Sequence, residues 1–325
     1  MSGKAMHLLM SRAKYPRDKF KYLHDSNIEL IVVDDPVKGF DIYNTNKLIL
    51  FTYYMNASFM STLPSNAEVG FITIGLENCN HPTFVFDSRI KFILATYGDC
   101  SIINHDAFQV WPLGPCTDAG FPASIDENFN PASERTQLLN LAASFRMGKP
   151  TRMQAYKMAR DICRGKECTI SSTNFMSRTF FYINKHFGID LNKFVALNEV
   201  ENYVHMLSDS NFTLCPSGNN PEQFRIWEAL ELGSIPIIED HCIPPGAIHP
   251  KYSDTWMCTD DERHYWLKKT NAPVIFLDNW KELPGILASM TPADVAERQR
   301  NLAAWYKNFK LLMRKLFNRQ MIEFL

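Results

Sequence analysis

The sequence predicts an α/β protein of two domains, each built on a mainly parallel sheet. A length of 325 residues exceeds the usual size of one domain. Short continuous apolar runs recur along the chain, which is typical of strands buried on both faces of a parallel sheet. Residues 212–240 also read as a strand, a loop, a helix and a second strand. The predicted boundaries are 1–120 for the first domain, 121–135 for a linker rich in Pro, Asn, Asp and Ser, 136–291 for the second domain, and 292–325 for a final helix.

The first 120 residues contain apolar runs that predict strands. These runs lie at 28–35, 46–54, 68–75, 89–98 and 107–114. In the second domain the pattern predicts a strand in LLNLAAS, a helix at 152–163, and further strands in CTISS, FTLC, IPIIE and PVIFL. In the final helix Leu302, Trp305, Phe309, Leu312 and Leu316 recur at helical spacing and predict a packed stripe.

Composition excludes several classes of function. The chain is 46% hydrophobic and 21% charged, as expected of a soluble globular protein. Its 34 basic residues are balanced by 35 acidic ones, so we expect no nucleic-acid partner. No apolar run approaches the length of a bilayer span, and the polar N-terminus is unlike a signal peptide. We therefore expect no membrane segment in this chain.

The eight cysteines are scattered without a CxxC pair, a spacing that does not favour zinc. We therefore expect no metal. Several cysteines lie in apolar runs, which indicates buried free thiols in a reducing compartment. Cys163 and Cys168 are the closest pair and would bridge only in an oxidising compartment.

The 212–240 unit carries the clearest candidate site. A strand at Phe212–Cys215 leads into a small-residue loop, a helix opened by Pro221 and ended before Gly233, and a strand from Ser234. A right-handed crossover between parallel strands places the loop at the carboxyl ends of the strands, where α/β sheets bind ligands.

The residues of this loop and helix suit an anionic ligand. Ser217, Gly218 and Asn219 offer backbone N–H groups at a helix N-terminus, which is a site for anions. Arg225 adds a fork of donors for a phosphate, and Glu228 is a carboxylate that accepts sugar hydroxyls. The alternative is that Arg225 and Glu228, three positions apart, form only an internal ion pair.

Three other places are candidates. Glu77 follows the strand at 68–75 in GLENCN and is expected at its carboxyl end, as a base or as a merely solvated carboxylate. His105 and Asp106 precede FQVWPLG, where a turn or surface role is the simpler interpretation. Arg146, Lys149 and Arg152 cluster around the loop after LLNLAAS, which contains Gly148. This is either a basic loop facing a diphosphate or a solvated turn.

The segment CPSGNNPEQFRIWEALELGSIPIIED resembles the C-terminal motif of the exostosin-type glycosyltransferases. It is most similar to the ribitol xylosyltransferases that act on dystroglycan glycans. The resemblance extends to FQVWPLG, to the GxExC pattern in GLENCN, to APVIFLDNWKELPGIL and to AWYKNFKLLMRKLF, and so covers most of residues 70–317.

This resemblance implies a GT-B architecture, with two Rossmann-like domains, a cleft between them, and a C-terminal helix that crosses back to the N-terminal domain. It implies metal-independent, inverting transfer of β-xylose from UDP-xylose to a sugar hydroxyl of a glycan, without a cofactor. Another UDP-sugar donor, carrying galactose, glucuronic acid, GlcNAc or arabinose, and a non-catalytic glycan-binding homologue remain alternatives.

The resemblance also implies roles for individual residues. The diphosphate is assigned to Ser217, Gly218 and Arg225, with Arg146 and Arg152 as further donors. The ribose or sugar is assigned to Glu228 with Glu222, and the uracil rim to residues 171–174, which include Ser171 and Thr173. The base is assigned to Glu77, with Asp106 and His105 as alternatives. Asn220 stands eight positions before Glu228, where retaining relatives carry a second glutamate, and this favours inversion.

The resemblance leaves two locations open. The animal relatives are Golgi membrane proteins with an anchor and a stalk, which this sequence does not show. We expect either a cytoplasmic protein, like the glycosyltransferases that large algal (chlorella) viruses use on their capsid glycans, or a trimmed chain from the Golgi lumen.

Overall fold

A computed structural model describes twelve stretches of the chain. They are residues 7–10, 47–51, 60–61, 65–73, 87–96, 106–116, 121–122, 131–143, 150–172, 200–218, 220–240 and 263–324. The chain divides into two compact units, the first made of Met1–Leu113 with Lys310–Leu325 and the second of Gly114–Phe309. The domain boundaries predicted at residues 120, 135 and 291 stay predictions.

The first unit contains a five-stranded parallel sheet in the order β1-β2-β3-β4-β5. Its strands are β1 His7–Met10, β2 Lys47–Phe51, β3 Glu68–Thr73, β4 Ile90–Ala95 and β5 Phe108–Val110. Four of them confirm predicted strands. β1 was not predicted, because three consecutive apolar residues in a polar N-terminus give too short a pattern. The run at 28–35 lies outside the described residues.

The C-terminal end of the chain completes the core of this first unit. The Phe324 ring meets the Phe92 ring edge-on, with centroids 5.3 Å apart, and Phe317 meets Trp111 at 6.0 Å. Position 70 must be glycine, because a Cβ there would strike the ring of Phe92. The final 16 residues therefore share one apolar core with β4 and the segment after β5.

The second unit holds another five-stranded parallel sheet, in the order β10-β9-β8-β6-β7. Its strands are β6 Gln137–Ala143, β7 Cys168–Ser172, β8 Ser210–Cys215, β9 Ile235–Glu239 and β10 Ile275–Leu277. The described helices are α1 Pro150–Ile162, α2 Val200–Asp209, α3 Phe224–Glu231, α4 Tyr265–Lys269, α5 Leu283–Ser289 and α6 Pro292–Phe324, the last of which extends into the first unit.

Buried polar groups form hydrogen bonds between the strands of this second sheet and between the sheet and its helices. The Asn140 amide donates to Thr213 Oγ1 at 2.8 Å, and the Thr213 and Ser234 hydroxyls lie 2.7 Å apart. Arg135 donates to the carbonyls of Leu207, Ser210 and Leu232, at 3.3, 2.7 and 2.8 Å. One buried guanidinium thus satisfies the carbonyls near the C-terminal ends of α2 and α3.

Helix α3 begins later than predicted. Pro221 lies in a bend, and the first helical residue is Phe224. The Gln223 side-chain amide donates to the carbonyls of Asn220 and Glu222, at 2.5 and 3.0 Å, and these bonds hold the backbone in a loop up to an extended Gln223. Gly233, with a φ of 70°, follows the end of the helix as predicted.

The packed stripe of α6 differs from the predicted one in its second half. The buried residues are Leu302, Tyr306, Phe309, Met313, Phe317, Met321 and Phe324. Leu312 is exposed and Leu316 only half-buried, because beyond Phe309 the stripe continues four residues on, at Met313.

The prediction of free thiols is wrong for one pair of cysteines. Cys163 and Cys168 form a disulfide with Cα atoms 5.8 Å apart, within the usual range. The turn between α1 and β7 brings the two residues together, and Gly165 at a φ of 76° allows that turn. Cys215 is buried and Cys116 half-buried, and both are free thiols.

Candidate functional site

The order of strands in the second unit indicates where a ligand binds. From β6 the chain crosses to β7 on one side, and β8 lies on the other side of β6. The strand order therefore reverses between β6 and β8. In open α/β sheets, ligands bind at such a reversal, outside the carboxyl ends of the strands. The loop after β8 and the first turn of α1, which follows β6, both lie at this edge.

The first turn of α1 holds the loop after β8. Arg152 Nε donates to the Ser217 carbonyl at 3.1 Å, and Thr151 Oγ1 donates to the same oxygen at 3.4 Å. Arg152 Nη2 donates to Gln223 Oε1 at 3.2 Å. A Cβ at Gly218 would meet the ends of the Arg152 and Gln223 side chains, so glycine at this position allows both side chains to approach the loop closely. The structure thus brings together Arg152, Ser217 and Gly218, three of the residues predicted for the diphosphate.

A second group of side chains surrounds Glu228. Its carboxylate is 6% exposed and accepts hydrogen bonds from the Tyr203 hydroxyl to Oε2 at 2.5 Å and from the Cys116 backbone amide to Oε1 at 3.1 Å. Tyr203 comes from α2, and Cys116 from the start of the second unit. Both carboxylate oxygens are therefore held by donors from other parts of the chain.

Arg225 is the positive charge of this group. Burial lowers the pKa of its guanidinium, but the attraction of Tyr203, Cys215 and Glu228, together with a hydrogen bond to Tyr203, raises that pKa overall. Its Nε is a buried donor without a hydrogen-bond partner. Buried donors are nearly always paired, so this nitrogen is suited to a ligand acceptor.

Two neighbours of Arg225, the Tyr203 hydroxyl and the Cys215 thiol, are neutral near pH 7. Burial, followed by repulsion from Glu228, raises the pKa of the Tyr203 hydroxyl well above its usual value. Burial likewise raises the pKa of the Cys215 thiol to about 12. The group therefore presents one guanidinium and one carboxylate. Chemically, it is able to bind an anion and an adjacent hydroxyl-bearing group.

Glu222 has a different role in the structure. Its Oε1 accepts a hydrogen bond of 2.6 Å from the buried indole N–H of Trp227, whose ring stacks on Phe309 of α6 at 5.4 Å. This bond connects Glu222 to the core between α3 and α6.

Two further predicted site residues, Ser171 and Asp106, lie near opposite ends of their strands. Ser171 is fully buried in β7, in register with Ala142 of β6 and one residue before the strand ends. Asp106 is exposed in the turn before β5, which is the amino end of that strand. Ligand-binding loops of parallel sheets leave from the opposite end.

The remaining predicted residues, Glu77, His105, Arg146, Gly148, Thr173 and Asn219, lie outside the described residues. Conversely, sequence reasoning missed Thr151, Tyr203, Gln223 and the Cys116 amide. Thr151, directly before Arg152 at the start of a predicted helix, carried a usable signal. Tyr203 and Cys116 are distant in sequence and belong to no pattern.

Neither a cluster of metal ligands nor a membrane-spanning helix is found among the described residues. Within the described ranges there is no group of three or more His, Cys, Asp or Glu side chains placed to hold a metal ion. Among the described helices, none has the length and apolar character needed to cross a bilayer.

Comparison with known sequences relates the chain to xylosyltransferases. Residues 191–324 match the family described as the RXYLT1 C-terminal domain. The chain is 37% identical over 266 residues to ribitol-5-phosphate xylosyltransferase 1 of Mus musculus, covering 78% of this chain and 53% of that protein. The Danio rerio protein of the same name is 28% identical over 270 residues, covering 79% and 55%. The predicted resemblance to ribitol xylosyltransferases is confirmed. The chain spans about half the length of these curated relatives.

Comparison with solved structures concerns the fold. A glycosyltransferase from Rickettsia africae superposes with a TM-score of 0.57 at 14% identity, over 98% of each chain. The DNA-modifying enzyme β-glucosyltransferase gives 0.52 at 10% identity, over 97% of this chain and 99% of its own. An α-glucosyltransferase in complex with UDP gives 0.50 at 10% identity, over 92% and 94%. The predicted α/β class and GT-B fold are confirmed.

Proposed function

We propose that this protein is an inverting glycosyltransferase that transfers β-xylose from UDP-xylose to a hydroxyl group of a glycan acceptor. The observation that carries the proposal is the pairing of Arg225, with its unpartnered buried Nε, and the Glu228 carboxylate on one helix beside the strand reversal. A UDP-sugar offers the matching groups, a diphosphate next to vicinal hydroxyls.

In this proposal the donor lies at the carboxyl edge of the second sheet. The Arg225 guanidinium and the loop at Ser217 and Gly218 bind the diphosphate, and Arg152 adds positive charge while holding that loop. Glu228 accepts hydrogen bonds from hydroxyl groups of the ribose or of the sugar. We expect the uracil to lie beside the carboxyl end of β7, where Ser171 is buried within the sheet.

The transfer is a single displacement. The acceptor oxygen attacks C1 of the sugar, the bond from C1 to the diphosphate oxygen breaks, and a base receives the hydroxyl proton. The pair of electrons leaves with UDP, whose added negative charge is stabilised by Arg225. Glu77 is the proposed base, a role that contributes roughly 10²- to 10⁴-fold in other enzymes. No metal is required in this scheme, because side-chain cations neutralise the leaving group.

The choice of xylose rests on the relatives. Three similar proteins, 27–37% identical, are named ribitol-5-phosphate xylosyltransferase 1. Their name identifies the transferred sugar as xylose, and it adds a polyol phosphate as an acceptor group to test on this chain. A glycan that ends in such a group is therefore one acceptor to compare with ordinary sugar hydroxyls.

A donor panel tests the proposal. The purified protein is incubated with UDP-xylose, UDP-galactose, UDP-glucuronic acid, UDP-GlcNAc and UDP-arabinose, with and without EDTA, and thermal stability and sugar release are followed. UDP at 100 times its Kd is expected to stabilise the protein by about 2.7 kcal/mol. UDP-xylose is expected to be hydrolysed fastest. In a parallel reaction with a glycan acceptor, a β-linked product observed by NMR would establish inversion.

A matched pair of variants makes the panel specific. Arg225→Met is expected to abolish the UDP effect. Arg164→Met, which changes an exposed arginine of the same unit with 76% side-chain exposure, is expected to preserve it. Absence of any UDP effect on wild-type melting refutes the proposal. Stabilisation by glycans without UDP would instead identify a glycan-binding homologue. If another UDP-sugar is hydrolysed fastest, only the identity of the donor sugar changes and the proposed glycosyltransferase activity stands.

A further inference from the structure

The Gln223 side chain joins the loop after β8 to the first turn of α1. Its Nε2 donates to the Asn220 carbonyl at 2.5 Å and to the Glu222 carbonyl at 3.0 Å, and its Oε1 accepts from Arg152 Nη2 at 3.2 Å. The Asn220 carbonyl also accepts from the Gly218 backbone amide at 3.1 Å. One uncharged side chain therefore connects the backbone of this loop to the Arg152 guanidinium.

Gly218 lies against both members of this connection. A Cβ at position 218 would come within 2.4 Å of Gln223 Oε1 and within 2.5 Å of Arg152 Nη2. The Ser217 carbonyl, one residue earlier, accepts from Arg152 Nε at 3.1 Å. The position of the backbone at Ser217 and Gly218 therefore depends on the contact between Gln223 and Arg152.

The bonds of Gln223 also affect where α3 begins. Pro221 fits the first turn of a helix, yet the first helical residue is Phe224. In a helix that began at Pro221, the carbonyls of Asn220 and Glu222 would accept from backbone amides four residues later. Here both carbonyls accept from the Gln223 side chain instead, and such local bonds compete with helix formation. Gln223 thus favours the loop over a longer helix.

We propose that Gln223 is a positioning residue for the diphosphate of the nucleotide sugar, because it keeps the loop after β8 beside Arg152 and prevents α3 from starting before Phe224. It thereby fixes the place of Arg225, the second residue of α3. This inference rests on the proposed function. Gln223 acts through the loop backbone and Arg152, so its effect is expected only with ligands that carry the diphosphate.

The chain provides a matched glutamine at the other end of α3. Gln299 Nε2, from α6, donates to the Gly233 carbonyl at 3.0 Å. Gly233 follows the last residue of α3, Glu231, by two positions. Gln223→Met and Gln299→Met each remove a bond from a side-chain amide to a backbone carbonyl beside this helix, but only the first change lies at the ligand loop.

The experiment compares uridine with UDP. The Kd of each ligand is measured by calorimetry for wild type, Gln223→Met, Gln223→Asn and Gln299→Met, and circular dichroism and melting show that each variant is folded. The ratio of the uridine Kd to the UDP Kd measures how much the diphosphate contributes to binding. This ratio is the readout, because a change in general stability does not alter it.

Gln223→Met is expected to lower this ratio roughly tenfold, as for loss of a hydrogen bond to a charged group, and to leave the uridine Kd nearly unchanged. Gln223→Asn keeps the amide but is one methylene shorter, so it should not reach both Arg152 and the Asn220 carbonyl and should give a similar loss. Gln299→Met is expected to keep the wild-type ratio.

Two results would overturn the inference and leave the proposed function intact. One is a folded Gln223→Met variant with the wild-type ratio. The other is an equal loss of affinity for uridine and UDP, since a general structural defect is not specific to the diphosphate. If Gln223→Met does not fold, the same two results for Gln223→Asn decide the question. A wild-type protein that fails to bind UDP would instead refute the proposed function as well.

Discussion

Glu239 is a buried acid that makes protein stability depend on pH. It is the last residue of β9, with 4% of its surface exposed and a buried Oε2 that has no hydrogen-bond partner. Burial raises the pKa of its carboxyl to about 7, although the polar indole N–H of Trp280 works in the opposite direction. We predict that Glu239→Gln stabilises the protein at neutral pH.

The size of the effect follows from that pKa. The unfolded carboxyl titrates near 4.5 and the folded one near 7, so the folded state binds the extra proton between these values. The stability contributed by protonated Glu239 is complete below pH 4.5 and is lost as pH rises through 7. The loss amounts to about 3 kcal/mol at pH 8, or roughly 6–12 °C in Tm for a domain of 150–250 residues.

In the wild-type protein, His264 and Glu239 have opposite effects on how stability changes with pH. Burial lowers the pKa of its imidazole to about 4; Asp240 and the Glu239 backbone oppose the shift, and Lys268 and Arg263 add to it. Its stability contribution is complete above pH 6.5 and is lost as pH falls toward 4. Between pH 4.5 and 6.5, rising pH lowers the free energy of unfolding through Glu239 and raises it through His264. The Glu239→Gln variant keeps only the His264 effect, so its free energy of unfolding should increase as pH rises.

The assay is denaturant unfolding at pH 5, 6, 7 and 8 for wild type, Glu239→Gln and a control. Glu297→Gln changes an exposed glutamate of α6 and should stay within about 0.5 kcal/mol of wild type at each pH. The difference between Glu239→Gln and wild type should be about 1 kcal/mol at pH 5 and grow to about 3 kcal/mol by pH 8. A difference that does not change with pH would refute the reasoning.

Three further predictions concern other groups. Arg135→Met leaves three buried carbonyls without their donor and should cost about 3 kcal/mol by urea unfolding; a loss below about 1 kcal/mol would contradict it. The Cys163–Cys168 bridge closes a loop of six residues and should contribute about 2 kcal/mol, lost on reduction; alkylation of both thiols without reductant would show that it is absent. Glu77→Gln should abolish sugar transfer and leave the Kd of UDP unchanged; if transfer survives, Asp106 and His105 variants are tested next.

The fold was predictable where the sequence pattern is local. Continuous apolar runs identified most strands of both sheets, because a strand buried on both faces needs no partner information to be recognised. The start of α3 was not predictable in this way. Pro221 fits the first turn of a helix, but the Gln223 side chain bonds to Asn220 and Glu222 and delays the helix by three residues.

The candidate site was predictable only for residues within one motif. Arg225 and Glu228 lie on the helix that directly follows the candidate ligand loop, so their positions in the sequence indicated a shared site. Tyr203 and Cys116 reach Glu228 from positions 25 and 112 residues away in the chain. Such contacts depend on how the helices pack, which periodicity does not encode.

The two glutamates of the 212–240 unit show why residue type alone does not assign a role. Glu222 and Glu228 are both buried, and each accepts a hydrogen bond from an aromatic side chain. The donor to Glu222 is an indole that stacks on Phe309, so this carboxylate completes the core. The donor to Glu228 is a hydroxyl that is also bonded to Arg225, so this carboxylate belongs to a charged group on α3. The assignment of this group to a ligand site stays a prediction, and the observation that supports it over an internal ion pair is the buried Arg225 Nε, which has no hydrogen-bond partner.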